Sequence, residues 1–158
     1  MRRAPVTIER IERLYREPHG GVTGVSSGFA DLDKKTTGLQ PSDLIIVAAR
    51  PSMGKTTFAM NLVESVLQYN RLPALVFSME MPADSIAMRL ISAMGKVHQG
   101  HLRSGNLDAD EWTKVTGTIL QLQEMHLYID DSSALQPTQL RARDRRIAKM
   151  HDGKIGCI

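Results

Sequence analysis

The sequence predicts an α/β fold, a mostly parallel sheet with helices on both faces, reaching about four strands by Ile158. Two observations carry that prediction. Short apolar runs recur at Leu44–Ala49, β-branched in its middle, and at Ala74–Ser78 and His126–Asp130, the pattern of strands covered on both faces. Between them lie longer stretches whose apolar residues repeat every three to four positions, as helices packed on a sheet require. Strands that alternate with helices are joined by crossovers, and crossovers make the pairing parallel.

The elements follow in order. Thr7 to Tyr15 carries Ile8, Ile11, Leu14 and Tyr15 at helical spacing among charged residues, and it stops at Pro18-His19-Gly20-Gly21. A helix this short is marginal alone, so its apolar stripe calls for a partner surface. Gly20 to Gly28 reads as a connector, and Phe29 to Asp33 opens a second short helix that Gly38 ends. Leu44–Ala49, bounded by Pro41-Ser42-Asp43 and Arg50-Pro51, is the first buried strand. Phe58, Ala59, Leu62, Val63, Val66 and Leu67 then mark a helix, Ala74–Ser78 a second strand, and Pro82 the entry to a helix with Ile86, Leu90 and Met94. Asp108 with Glu111 forms a capping box before the helix of Trp112, Val115, Ile119 and Leu120. His126–Asp130 is the third strand, Pro137 begins a basic helix running to Met150, and Gly153 to Ile158 begins a fourth strand.

At 158 residues the chain has room for one core, and 42% hydrophobic with 23% charged residues is ordinary globular composition. That excludes a disordered tail and a disulfide-stapled miniprotein. Cys157 is the sole cysteine, no apolar run is long enough to span a bilayer, and a soluble, cytoplasmic protein is expected. The formal charge of +3 is compatible with a polyanionic partner without demanding one.

The strongest chemical signal is Ala49-Arg50-Pro51-Ser52-Met53-Gly54-Lys55-Thr56, which fits the phosphate-loop pattern GxxxxGK[ST] except that Ala replaces the first Gly. An apolar strand enters it and an amphipathic helix leaves it. Backbone N–H groups in this loop, extended to Thr57, would curl round a nucleotide's phosphates, helped by the positive end of the helix. Lys55 would reach the β- and γ-phosphates of ATP, and the Thr56 hydroxyl would ligate Mg²⁺. Hydrolysis also needs a group to orient water. Glu80, at the carboxyl end of the second strand, stands where ligands of open α/β sheets bind. Asp130, ending the third strand, is a rival for a metal role, and the blander reading has Asp130 and Asp131 opening a Ser-rich turn and capping the next helix.

These residues carry a family resemblance. From about Ile8 onwards the chain resembles the ATPase domain of the DnaB-type bacterial replicative DNA helicases, in Gly38-Leu39-Gln40-Pro41-Ser42-Asp43-Leu44-Ile45-Ile46-Val47, in Ala49 through Asn61, in Phe77-Ser78-Met79-Glu80-Met81 and in Tyr128-Ile129-Asp130-Asp131-Ser132-Ser133. Ala49, a departure from the generic loop, is the form familiar in that family. The resemblance implies a RecA-like P-loop NTPase fold, with residues 1–20 as linker helix and hinge and 21–158 as the N-terminal portion of the ATPase domain. It implies Lys55 and Thr56 as phosphate and Mg²⁺ contacts and Glu80 as the catalytic glutamate. It moves the metal-holding aspartate to the strand begun by Ile155, leaving Asp130 a structural role.

It further implies a homohexameric ring assembled through helix 7–15, single-stranded DNA held by regions beyond Ile158, and a primase and a helicase loader as partners at bacterial replication forks. The activity implied is ATP hydrolysis coupled to translocation and unwinding, with residues 1–158 alone hydrolysing ATP feebly or not at all. Two alternatives stand beside it: another RecA-like ATPase, and a nucleotide-binding interaction module without catalysis. Arg141, Arg143, Arg145, Arg146 and Lys149 are read as a solvated or subunit-facing helix rather than a DNA site. The five histidines show no paired metal spacing, and Cys157 is read as packing.

Overall fold

A computed structural model of the chain describes residues 11–12, 15–16 and 21–158, which divide into one compact unit up to Ile45 and another from Ile46 to Ile158. Of the expected first helix, Ile11, Glu12, Tyr15 and Arg16 are helical and exposed. Ile8, Leu14 and the stop at Pro18 to Gly20 lie outside the described residues.

The first unit is built round α1, Ala30–Thr36. Thr37, in the left-handed region, stops the helix one residue before Gly38, whose φ of +86° turns the chain back. Val25 and Leu39 then pair as an antiparallel bridge through N···O contacts of 2.9 and 2.8 Å. The Gly- and Ser-rich stretch expected as a connector is therefore partly built in. Ser27 is buried, and its backbone N–H and hydroxyl both donate to Asp33 of α1, at 2.9 and 2.6 Å. Small polar side chains that satisfy a buried carboxylate make core here, where composition alone suggests a linker.

The second unit runs α2 Lys55–Gln68, β1 Ala74–Phe77, α3 Ala83–Gly95, α4 Gln99–Ser104, α5 Ala109–Glu124, β2 Leu127–Asp130 and α6 Pro137–Met150. β1 and β2 pair in parallel, with Ala74 opposite Leu127 and Phe77 opposite Asp130. On the other edge of β1, Leu75 N–H donates to the Cys157 carbonyl at 3.0 Å, and Ala74 and Cys157 form a parallel bridge. So β1 lies between a later strand and the segment around Cys157.

The core is aliphatic. Val66 and Leu67 of α2, Ala74 and Leu75 of β1, Ile86 and Leu90 of α3 and Val115 of α5 are buried. Gly95 lets α3 approach α5 closely, since a Cβ there would sit 3.0 Å from Oγ1 of buried Thr118. On α6, Arg143 pairs with Asp130, and a hydrogen bond of 2.9 Å joins His151, just past the helix, to the Tyr128 hydroxyl. The capping box forms as the spacing predicts: Glu111 N–H donates to Asp108 Oδ1 at 2.7 Å and Asp108 N–H to Glu111 Oε2 at 3.3 Å. Pro137 is the first residue of α6. The unforeseen α4 starts where His98 Nδ1 accepts the Gly100 N–H at 3.1 Å, and Gly105 ends it at φ +72°.

The α/β class stands, but the strand count is corrected. Among the described residues, two of the roughly four expected strands form a ladder, and the segment begun at Gly153 contributes the single bridge at Cys157. Leu44–Ala49 forms no ladder, and Leu44 and Ile46 are 87% and 79% exposed. An apolar β-branched run supplies the tendency to be a strand, but a strand forms only where a neighbour takes up its N–H and C=O groups. Among the described residues both edges of β1 are used by others, and no ladder reaches this run.

Candidate active site

The phosphate-loop residues form a tight turn leading into α2. Met53 N–H donates to the Arg50 carbonyl at 3.3 Å, Ser52 has φ +65° and Gly54 has φ +85°. Two left-handed residues flanking Met53 turn successive N–H groups toward one side, the geometry of an anion nest. A Cβ on Gly54 would meet nothing within 4 Å, so glycine serves the backbone angle there rather than a close contact. Gly54 caps α2, and the first helical bond runs from Phe58 N–H to the Gly54 carbonyl at 2.9 Å. The N–H groups of Lys55, Thr56 and Thr57 consequently precede the helical ladder and need an acceptor from outside it. They lie at the positive end of the helix dipole.

Ala49 through Lys55 and Thr57 are exposed and Thr56 is half-buried. Among the described residues no hydrogen bond or ion pair occupies the Lys55 ammonium or the Thr56 hydroxyl. A free cation, a free hydroxyl and a row of unpaired N–H groups on one solvent-facing loop fit the phosphates of a nucleotide and its divalent cation.

Glu80 lies in the turn joining β1 to α3, at the carboxyl end of the sheet, and its side chain is exposed. Ser78 closes that turn: its hydroxyl donates to the Met81 carbonyl at 2.7 Å and accepts the Met81 N–H at 3.0 Å. No hydrogen bond joins Glu80 to Lys55 or Thr56 among the described residues. The connection between the two elements is instead Arg89 of α3, whose Nη1 donates to Thr57 Oγ1 at 3.5 Å.

Asp130 is committed to structure, as expected. Its carboxylate accepts the Ser132 N–H at 3.1 Å and pairs with Arg143. A hydrogen bond from the Ser132 side chain and then one from the Arg143 guanidinium hold its carboxyl down at about 2. Asp131 departs from the expectation that it caps the next helix. Its Oδ2 accepts the N–H of Ala83 at 2.8 Å and so caps α3, which precedes it in the chain. α6 is capped by its own neighbours, with Gln136 N–H donating to Gln139 Oε1 at 3.2 Å. Sequence spacing holds no trace of the Asp131 cap, because the two residues stand 48 positions apart.

The remaining candidates separate. The fold brings His126 and His151 together, with ring centroids 4.5 Å apart, yet no group of three or more His, Cys, Asp or Glu is placed to hold a metal among the described residues. Cys157 is half-buried, and burial pushes its thiol up to about 11. No helix among the described residues is long and apolar enough to cross a membrane.

The family described as DnaB-like helicase C terminal domain matches residues 24–158. The chain belongs to this family. Among DnaB-like relatives, the Replicative DNA helicase DnaB of Haemophilus influenzae is 56% identical over 150 residues, covering 93% of this chain and 32% of the relative. That of Buchnera aphidicola subsp. Acyrthosiphon pisum is 50% identical over 148 residues, with the same coverage of 93% and 32%. The Replicative DNA helicase DnaC of Bacillus subtilis is 40% identical over 141 residues, covering 89% and 31%. The chain thus spans about a third of the length of these DnaB-like proteins. Two solved structures share the fold at 24% identity. One, described as an ATPase domain, superposes with a TM-score of 0.85 over 94% of this chain and 52% of its own. The other, a DnaB-like replicative helicase described with its interactions with primase, gives 0.80 over 95% and 36%. The DnaB-like chain accordingly shares the α/β fold of these two structures, of which its small parallel sheet is part.

Proposed function

We propose that this chain is the ATP-binding part of a replicative DNA helicase, in which ATP hydrolysis drives movement along single-stranded DNA and unwinding of the duplex. One observation carries the reading. Among the described residues, the loop of Ala49, Arg50, Pro51, Ser52, Met53, Gly54, Lys55, Thr56 and Thr57 ends at a helix N-terminus where the N–H groups of Lys55, Thr56 and Thr57, the Lys55 ammonium and the Thr56 hydroxyl have no partner. Membership of the DnaB-like family supports reading that loop as part of a helicase.

In this reading the loop's N–H groups and Lys55 bind the phosphates of ATP, and the Thr56 hydroxyl holds Mg²⁺. Held there, the ion would supply positive charge against the phosphate oxygens. Glu80 orients the attacking water and takes its proton. The segment 7–15 docks on the next subunit of a homohexameric ring, regions beyond Ile158 hold the single strand, and a primase and a loader are the protein partners in a bacterial cytoplasm.

The test uses the full-length protein. Lys55→Ala should weaken binding of a fluorescent ATP analogue with Mg²⁺ by at least roughly tenfold, the loss expected for a charge-assisted phosphate contact. Glu80→Gln should keep that binding and lose roughly a hundredfold or more in turnover, as removal of a general base does. Wild-type binding by Lys55→Ala would overturn the nucleotide site, and wild-type turnover by Glu80→Gln would overturn the role of Glu80.

A further inference from the structure

We infer that Asp131 is a positioning residue for Glu80, an inference that rests on the catalytic reading of Glu80 given above. The turn that carries Glu80 runs from the end of β1 to the start of α3, and three contacts hold it. Ser78 N–H donates to the Asp130 carbonyl at 2.9 Å, which fixes the turn's first residue to the end of β2. The Ser78 hydroxyl spans the turn to Met81 at 2.7 and 3.0 Å. Asp131 then grips the far end through the Ala83 N–H at 2.8 Å.

Among the described residues that last contact is the only side-chain cap on α3, because Pro82, the residue before the helix, supplies none. A helix start without a cap frays, and fraying here would reach back into the turn. Asp131 is itself braced. Asp130 beside it is tied to Arg143 and to Ser132 N–H, and Arg143 Nη1 also donates to Ser132 Oγ at 3.0 Å. Both ends of the Glu80 turn are therefore fastened to one rigid stretch, Asp130 to Ser132, while the Glu80 side chain stays free to meet solvent and substrate. A carboxylate that must place a water loses rate steeply when its backbone wanders by about 1 Å.

The experiment compares wild type, Asp131→Ala, Asp131→Asn and Glu80→Gln in the full-length protein. It reads kcat and KM for ATP together with the stoichiometry of bound ATP analogue. Asp131→Ala should lose roughly 10- to 100-fold in kcat while KM and stoichiometry hold, the pattern of a misplaced rather than missing site. Asp131→Asn should restore most of the rate, since its amide oxygen still accepts the Ala83 N–H. A wild-type kcat in Asp131→Ala beside an inactive Glu80→Gln would overturn the positioning role alone. Stoichiometry falling in step with kcat would also overturn it, showing a folding defect. Full turnover in Glu80→Gln would overturn the reading of Glu80 and this inference with it.

Discussion

Gly156 passes so close to α2 that a Cβ built on it would lie 2.3 Å from Cγ1 of Val66, a side chain with no solvent exposure. Leu72 Cβ would be 2.8 Å away on the same side. The glycine is required by space, and it lets Gly156 N–H reach the Pro73 carbonyl at 2.8 Å. Gly156→Ala should therefore cost ~1–3 kcal/mol, the usual range for overpacking. In a thermal melt that is a fall of roughly 3–10 °C for a chain of this size. Adding Val66→Ala should be less than additive, because it vacates the atom that clashes.

Asp33 is 5% exposed and accepts the Ser26 and Ser27 hydroxyls, each at 2.6 Å. Burial by itself would push its carboxyl up, but the hydrogen bonds from Ser26 and Ser27 outweigh that and hold it below its usual 3.8. The folded value lies below the unfolded one, so its contribution to stability is present above about pH 4 and is lost as the pH falls through the folded value. Asp33→Ala should cost ~1–3 kcal/mol by stranding buried Ser27 donors. Urea melts from pH 7 to pH 3 would show wild type weakening on acidification and the variant weakening less.

For Asp130 the check is a carboxyl titration by NMR, with a midpoint near 2 expected. Arg143→Met should move it back toward the usual 3.8. Its folded value is depressed, so its stabilisation is complete above the unfolded value and disappears between about pH 4 and pH 2. With side chains 38% and 22% exposed, the pair should contribute no more than about 1 kcal/mol.

Cys157 should be slow to alkylate. With the thiol at about 11, its iodoacetamide rate should climb close to tenfold per pH unit from pH 8 to pH 10. At pH 8 it should run on the order of a hundredfold below a free thiol. A plateau near pH 9 would show an exposed, ordinary thiol.

The parts of the fold legible in the sequence are those decided locally. The Asp108–Glu111 box, Pro137 at the start of α6 and the apolar spacing of α2 and α3 act within a turn or two, so composition and order reveal them. The phosphate loop is legible for the same reason, its residues being consecutive. What sequence could not reveal depends on partners far along the chain. Leu44–Ala49 has every local mark of a strand and forms no ladder, because pairing is supplied from elsewhere. Asp131 reads as a cap for the helix that follows it, and only the parallel register of β1 with β2 brings it to Ala83. Arg89 carries no signal at all, since its contact with Thr57 arises from the packing of α3 on α2.

The position of β1 between β2 and Cys157 also sets an order of events during synthesis. β1 leaves the ribosome well before either segment that pairs with it, so its backbone must wait unpaired while α3, α4 and α5 are made. The helices can meanwhile collapse on one another, burying Ile86, Leu90 and Val115 before either edge of β1 is paired. Both edges of β1 are filled only when Gly156 packs against Val66, and until then the unpaired strand edges leave the nascent chain open to wrong pairings.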